Sequence, residues 1–112
     1  MRTDFVIIFI TCASRKEAGS IVDSLLKKRL VACGNIIKNV ESKFWWRGKI
    51  DNEKEVLVML KTKKENINKI EKEVRRRHSY EVPEIISIPI TAGSKRYLEW
   101  LDGAIRDTGA SR

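Results

Sequence analysis

Phe44-Trp45-Trp46-Arg47-Gly48-Lys49-Ile50 is the stretch whose reading decides how this chain folds. It joins two runs with strand periodicity. Upstream, from Val31 to Trp46, Val40, Phe44 and Trp46 fall on one side and Asn39, Glu41, Lys43 and Trp45 on the other, the period of two that a pleated strand imposes. Downstream, Val56, Val58, Leu60 and Thr62 alternate with Leu57, Met59 and Lys61. That second run is apolar on both sides over part of its length, which predicts a strand interior to its sheet. Arg47-Gly48 turns the first strand into the second, because glycine supplies the positive φ that tight hairpins demand.

Working outward, Phe5 to Ile10 is a continuous β-branched and aromatic run, as expected of a central strand. Ser14-Arg15-Lys16-Glu17 reads as a capping box, and Ala18, Ile21, Val22, Leu25 and Leu26 follow at helical spacing. Thr62-Lys63-Lys64-Glu65 reads as a second capping box, opening a helix that Ile67, Ile70 and Val74 carry to about His78. Val82-Pro83 interrupts it, since the residue before a proline is driven out of the helical region. Ile85 to Ile90 is a last strand, and Pro89, having no amide hydrogen, predicts an edge or a bulge. Tyr97, Leu98, Leu101, Ala104 and Ile105 make a third amphipathic helix, and residues 107–112 form a polar tail.

The order is β-α-β-β-α-β-α. Two right-handed crossovers joined by a hairpin close most simply as an α+β, ferredoxin-like sandwich: an antiparallel four-stranded sheet with helices on one face. Residues 1–112 are expected to form a single domain. The other face of the sheet is then partly bare, and Trp45 or Trp46 on the long hairpin would lie on surface a monomer cannot cover, so self-association is expected.

Composition narrows the class. A chain of 112 residues, 42% hydrophobic, has enough apolar content for a core without staples. Its longest uninterrupted apolar run is too short to span a bilayer, and Asp4 directly before that run argues against a signal peptide, so a cytoplasmic protein with no membrane partner is expected. Cys12 and Cys33 read as reduced thiols. The net charge of +8 would suit an anionic partner, but Lys27-Lys28-Arg29 and Arg75-Arg76-Arg77 each end a predicted helix, where cations complement the carbonyl end of the dipole. Nucleic-acid binding on such a sheet needs aromatic residues on its exposed strands, and Val56 to Leu60 contains none. No nucleophile with an adjacent base and no recognisable carboxylate pair indicates an enzyme.

The chemistry concentrates in His78-Ser79-Tyr80-Glu81-Val82-Pro83-Glu84, which holds the only histidine. His78 either complements the end of the second helix or offers a metal-capable imidazole. Cys33 is a small core residue or a soft ligand. Lys61, inside an otherwise apolar strand, needs a carboxylate partner or an anionic ligand, and Glu84, locked beside Pro83, is a candidate for that partner.

Leu30-Val31-Ala32-Cys33, the Phe44–Ile50 hairpin, Glu55, Lys61-Thr62, the His78–Glu84 heptad and Tyr97-Leu98-x-Trp100-Leu101 together resemble the CutA family, the divalent-cation tolerance proteins. The resemblance covers nearly the whole chain. It implies a homotrimer of ferredoxin-like subunits whose intersubunit cleft gathers Trp46, Lys61, Tyr80 and Glu84, and it implies tolerance of divalent metals with copper, as Cu(II) or Cu(I), or another soft or borderline cation bound. In copper-ligating members a cysteine stands where Ile10 stands here and a second histidine where Arg77 stands. His78 is kept, and Cys12, two residues beyond Ile10 on the same strand face, is positioned to substitute. The metal candidates are therefore His78, Cys33 and Cys12. Proline is common in the family where Ser79 stands. Kinship of the fold with the PII signalling trimers leaves a second reading, a sensor binding a small anion in the cleft.

Overall fold

The computed structural model of the chain describes residues 4–109 and residue 111. Its elements follow the expected order: β1 (Phe5–Cys12), α1 (Arg15–Lys27), β2 (Cys33–Trp46), β3 (Lys49–Lys63), α2 (Ile67–Arg77), β4 (Ile85–Pro89) and α3 (Lys95–Ile105). The strands form one antiparallel sheet in the order β2-β3-β1-β4. The apolar run of β1 and the two-faced β3 are its inner strands. β4, which carries Pro89, is an edge, where a missing amide hydrogen costs least.

Alternation along the inner strands sorts the core. Val6, Ile8, Ile10 and Cys12 of β1 share a face with Val56, Val58, Leu60 and Thr62 of β3, and α1 and α2 cover it with Ile21, Leu25, Ile70 and Val74. Burying each of those aliphatic side chains is worth ~1.5–3 kcal/mol over leaving it exposed. α3 lies on the opposite face at one end of the sheet, where Leu98 and Leu101 pack on Phe5, the strand neighbour whose side chain points away from that of Val6. Lys63 ties the helix down through Asp102 at 2.8 Å. The rest of that face is open: Ile7, Phe9, Leu57 and Met59 are half-buried, while Ile37, Ile86 and Ile88 are exposed.

The hairpin turns on Arg47 (φ 50°) and Gly48 (φ 78°), with Trp46 paired to Lys49. Two central residues at positive φ match the right-handed twist of the flanking strands. β1 ends at Cys12 opposite Val56, so Lys49–Glu55 of β3 runs on beside β2 as a two-stranded ribbon, about 23 Å long at the usual rise per residue. A bulge between Ile37 and Val40, with Asn39 at φ 63°, lies near the root of this ribbon, where an extra residue bends the strand.

Both capping boxes depart from their sequence reading. Thr62 is fully buried inside β3, its hydroxyl donating to the Leu30 carbonyl at 2.6 Å, because the β1–β3 ladder continues to Phe5–Lys63. The second helix begins only at Ile67, after a short 3₁₀ turn over Lys64–Asn66. At α1 the Ser14 hydroxyl does accept from the Glu17 amide, at 3.1 Å, but the Glu17 carboxylate turns away and accepts from the Ser79 amide at 3.2 Å. In the tail, Asp107 (φ 58°) and the Thr108 amide bonded to the Gly103 carbonyl close α3 with a left-handed cap, and Arg29 bridges Asp107 at 2.9 Å. Residues 110 and 112 of the tail lie outside the described residues.

Candidate metal centre and the pocket beside it

α2 stops at Arg77, and His78 leaves it in extended backbone while its amide still donates to the Val74 carbonyl. The imidazole is wholly buried, 0% exposed. Its Nε2 lies 2.7 Å from the Thr11 carbonyl oxygen, which only accepts, so Nε2 carries the hydrogen. Nδ1 in turn accepts from the Tyr80 amide at 3.1 Å. Both ring nitrogens are thereby engaged, and a metal ion taken at Nδ1 would displace the Tyr80 amide from its lone pair.

That lone pair faces a second acceptor. Glu17 Oε1 lies 3.6 Å from Nδ1, and it is buried with no hydrogen-bond partner among the described residues. Cys12 completes the group: its sulfur, a Glu17 oxygen and a His78 ring nitrogen all lie within 4.8 Å of one another. Burial first, then the charges of Glu17 and Glu55, pushes the Cys12 thiol up to about 12, so the sulfur keeps its proton until something displaces it. A cation among these three atoms would answer the orphaned oxygen, take the Nδ1 lone pair in place of the Tyr80 amide, and deprotonate the thiol by coordination. The donor set fits a soft or borderline ion.

Cys33 is not brought to this group. It pairs with Lys61, five residues along β3 from the Val56 that pairs with Cys12, about 17 Å away by strand rise, and its sulfur contacts the Tyr97 hydroxyl at 3.8 Å. Glu17 is the ligand candidate that sequence reading missed. Its only local signal was the capping box, which assigns the carboxylate elsewhere.

Along the ribbon, from its root toward the turn, a pocket of about 720 Å³ opens beside the heptad. Trp46, Tyr80 and Glu84 all line it. Lys61 does not; it sits on the open sheet face in register with Ile7, and its ammonium donates to the Asn35 side chain rather than to Glu84. The pocket's buried polar residue is Glu55, which accepts from the Tyr80 hydroxyl at 2.8 Å. Burial, reinforced by that bond and by the charge of Glu55, holds the Tyr80 phenol well above its ordinary range. Glu55 closes the polar stretch Asp51-Asn52-Glu53-Lys54 at the start of the apolar run of β3, so its burial had no local signal in the sequence.

The profile of the family described as "CutA1 divalent ion tolerance protein" matches residues 6–104. The chain belongs to this CutA1 family. It is 42% identical over 98 residues to the divalent-cation tolerance protein CutA of Archaeoglobus fulgidus, covering 88% of this chain and 95% of that one. The solved structure described as the periplasmic divalent cation tolerance protein CutA of that organism superposes with a TM-score of 0.87 at 40% identity, over 90% of this chain and 98% of the other. CutA from Xylella fastidiosa superposes with a TM-score of 0.89 at 30% identity, over 92% and 99%. The chloroplastic CutA proteins of rice and Arabidopsis are 32% and 34% identical, and this CutA1 chain spans 58% and 56% of their lengths. Relatives are thus named for the chloroplast and the periplasm. Among the described residues no helix is long and apolar enough to cross a membrane.

Proposed function

We propose that this CutA1 chain is a homotrimeric, non-catalytic cytoplasmic protein that contributes to divalent-metal tolerance by binding a soft or borderline cation, copper foremost, through Cys12, Glu17 and His78. The observation that carries the reading is the convergence of those three donors within 4.8 Å around a buried carboxylate oxygen with no hydrogen-bond partner among the described residues. Thiolate and imidazole suit copper and zinc, whereas hard ions prefer all-oxygen shells. The chain's own residues hold the cation; the Ser79 amide orients Glu17, and the Thr11 carbonyl, accepting from Nε2, orients the His78 ring. Cys33 stands outside this proposed set. The trimer is supported by the apolar open face and by the exposed ribbon, and it would supply any further ligand from a neighbour.

Anaerobic calorimetric titration with Cu(I), and in parallel with Zn(II), is expected to give saturable binding that is lost in His78→Ala and weakened in Cys12→Ser. Binding should release about one proton per ion, seen as a dependence of the heat on buffer ionisation, because the Cys12 thiol must give up its proton. An isotherm unchanged in both variants overturns the proposal; Glu17→Gln, which keeps an acceptor for the Ser79 amide, guards against reading a folding defect as lost binding. The reading as an anion sensor receives less support, since carboxylates dominate the pocket and Lys61 lies outside it.

A further inference from the structure

The His78 imidazole is 0% exposed and Cys12 is fully buried, so an ion reaches the Cys12–Glu17–His78 group only if something moves. Cys12 lies on inner strand β1 and Glu17 on α1, both packed into the core, whereas the chain just beyond His78 is irregular. Among the described residues, residues 79–82 take part in no backbone–backbone hydrogen bond. Their amides go instead to the ligand side chains: Ser79 donates to Glu17 Oε2 at 3.2 Å and Tyr80 to His78 Nδ1 at 3.1 Å. A third hold comes from the Tyr80 hydroxyl, which donates at 2.8 Å to Oε2 of the buried Glu55. Between these two bonds the Tyr80 ring leans on the imidazole, with centroids 4.8 Å apart.

The Tyr80 amide and a metal ion compete for one lone pair. Nε2 is committed to the Thr11 carbonyl, and Nδ1 faces Glu17 Oε1 at 3.6 Å, so the position a cation shares with Glu17 is the one the amide occupies. Tyrosine is a rigid ring on two torsions, so turning the backbone at residue 80 to free the amide also carries the hydroxyl off Glu55. Both bonds lie within one chain.

We propose that Tyr80 is a latch on the metal centre, a positioning residue whose hydroxyl bond to Glu55 holds its amide on His78 Nδ1 and so sets the affinity for the cation. The latch rests on the metal reading of Cys12, Glu17 and His78. Whatever stabilises the latched state opposes binding by the same free energy, and an ion at the centre weakens the Tyr80–Glu55 bond in return. Tyr80, Glu55 and Trp46 line one pocket along the ribbon, so occupancy of the buried centre is passed to that surface.

The test takes the full-length protein in its native assembly under reducing conditions, with diamagnetic Zn(II) as the probe. Calorimetry reads affinity, and amide exchange followed by NMR reads the latch without any variant. At Zn(II) saturation the Tyr80 amide should exchange at least about tenfold faster than in the metal-free protein, while the His78 amide, bonded to the Val74 carbonyl, keeps its rate. Tyr80→Phe, which keeps the ring and loses the hydroxyl, should bind Zn(II) about tenfold more tightly, on the order of one hydrogen bond to a charged group. A purely structural role predicts equal or weaker binding. Glu55→Gln also removes a charge near the ion, so it is measured alone and together with Tyr80→Phe; its effect on Zn(II) affinity should differ between the two backgrounds, because both act through one bond. An absence of Zn(II) binding overturns the metal reading and the latch together. Saturable binding with the Tyr80 amide still protected, a Tyr80→Phe affinity no tighter than native, or equal Glu55→Gln effects in both backgrounds overturns the latch and leaves the metal reading standing.

Discussion

Glu73 accepts hydrogen bonds from Ser24, Lys28, Arg76 and Arg77 while its side chain is only 4% exposed. The basic runs at the ends of α1 and α2, which read in sequence as solvated dipole partners, therefore converge in part on one carboxylate between the helices. Its partners, Lys28 first, then Ser24 and Arg77, depress the Glu73 carboxyl from 4.5 to about 2. A depressed carboxyl contributes stability that is complete above its unfolded pKa and drains as pH falls toward the folded one, here between about 4.5 and about 2. Denaturant midpoints followed from neutral pH downward should fall through that window, and Glu73→Gln should start lower at neutral pH and decline less steeply. Parallel profiles would sink the assignment. Ser79 is a second residue whose role depends on its surroundings. Where the family commonly has proline, serine brings an amide hydrogen, and that hydrogen holds Glu17 beside His78. The ligand types of Cys12 and His78 were legible as such; that Glu17 joins them was not, because its position along α1 says only that it can cap.

α1 packs on β2 at a place where a side chain would not fit. A Cβ on Gly34 would stand 2.7 Å from Val22 Cγ1 and 3.2 Å from Leu60 Cδ2, and β-branched Val22 has little rotamer freedom with which to yield. Gly34→Ala should cost ~1–3 kcal/mol, the usual range for overpacking. Gly19, within α1, meets only the guanidinium end of Arg15, a flexible terminus, so Gly19→Ala should gain ~0.5–1 kcal/mol through helix propensity. Chemical denaturation of the two variants separates these signs, and equal effects would contradict the packing account. The stripes that define α1, α2 and α3 could be read from spacing alone. The start of α2 could not: Thr62 and Glu65 have the capping pattern, but ladder pairing with β1 holds the backbone extended through Lys63, and a cross-strand ladder outweighs a local cap.

The assembly question belongs to the open face and the ribbon. A two-stranded ribbon is marginal in water by itself, yet Trp45, 72% exposed, stands opposite Ile50, which is also exposed, and Ile86 and Ile88 continue an apolar surface on β4. If three copies bury these surfaces, Trp45→Lys combined with Ile88→Lys should convert the trimer to monomer, as measured by light scattering on a sizing column. A trimer that survives both changes would move the interface elsewhere. By itself the sequence determined the order of elements, the sheet with β1 and β3 inside, the hairpin turn and the family, because these follow from periodicity, turn chemistry and motif order along the chain. Only the tertiary structure decided which chemical groups meet. Cys12 and His78 are drawn to Glu17, Cys33 and Lys61 stay at the other end of the sheet, and five carboxylates of a basic chain line one pocket along the ribbon. Such meetings depend on where strands stop and how a loop crosses them, and no local spacing encodes that.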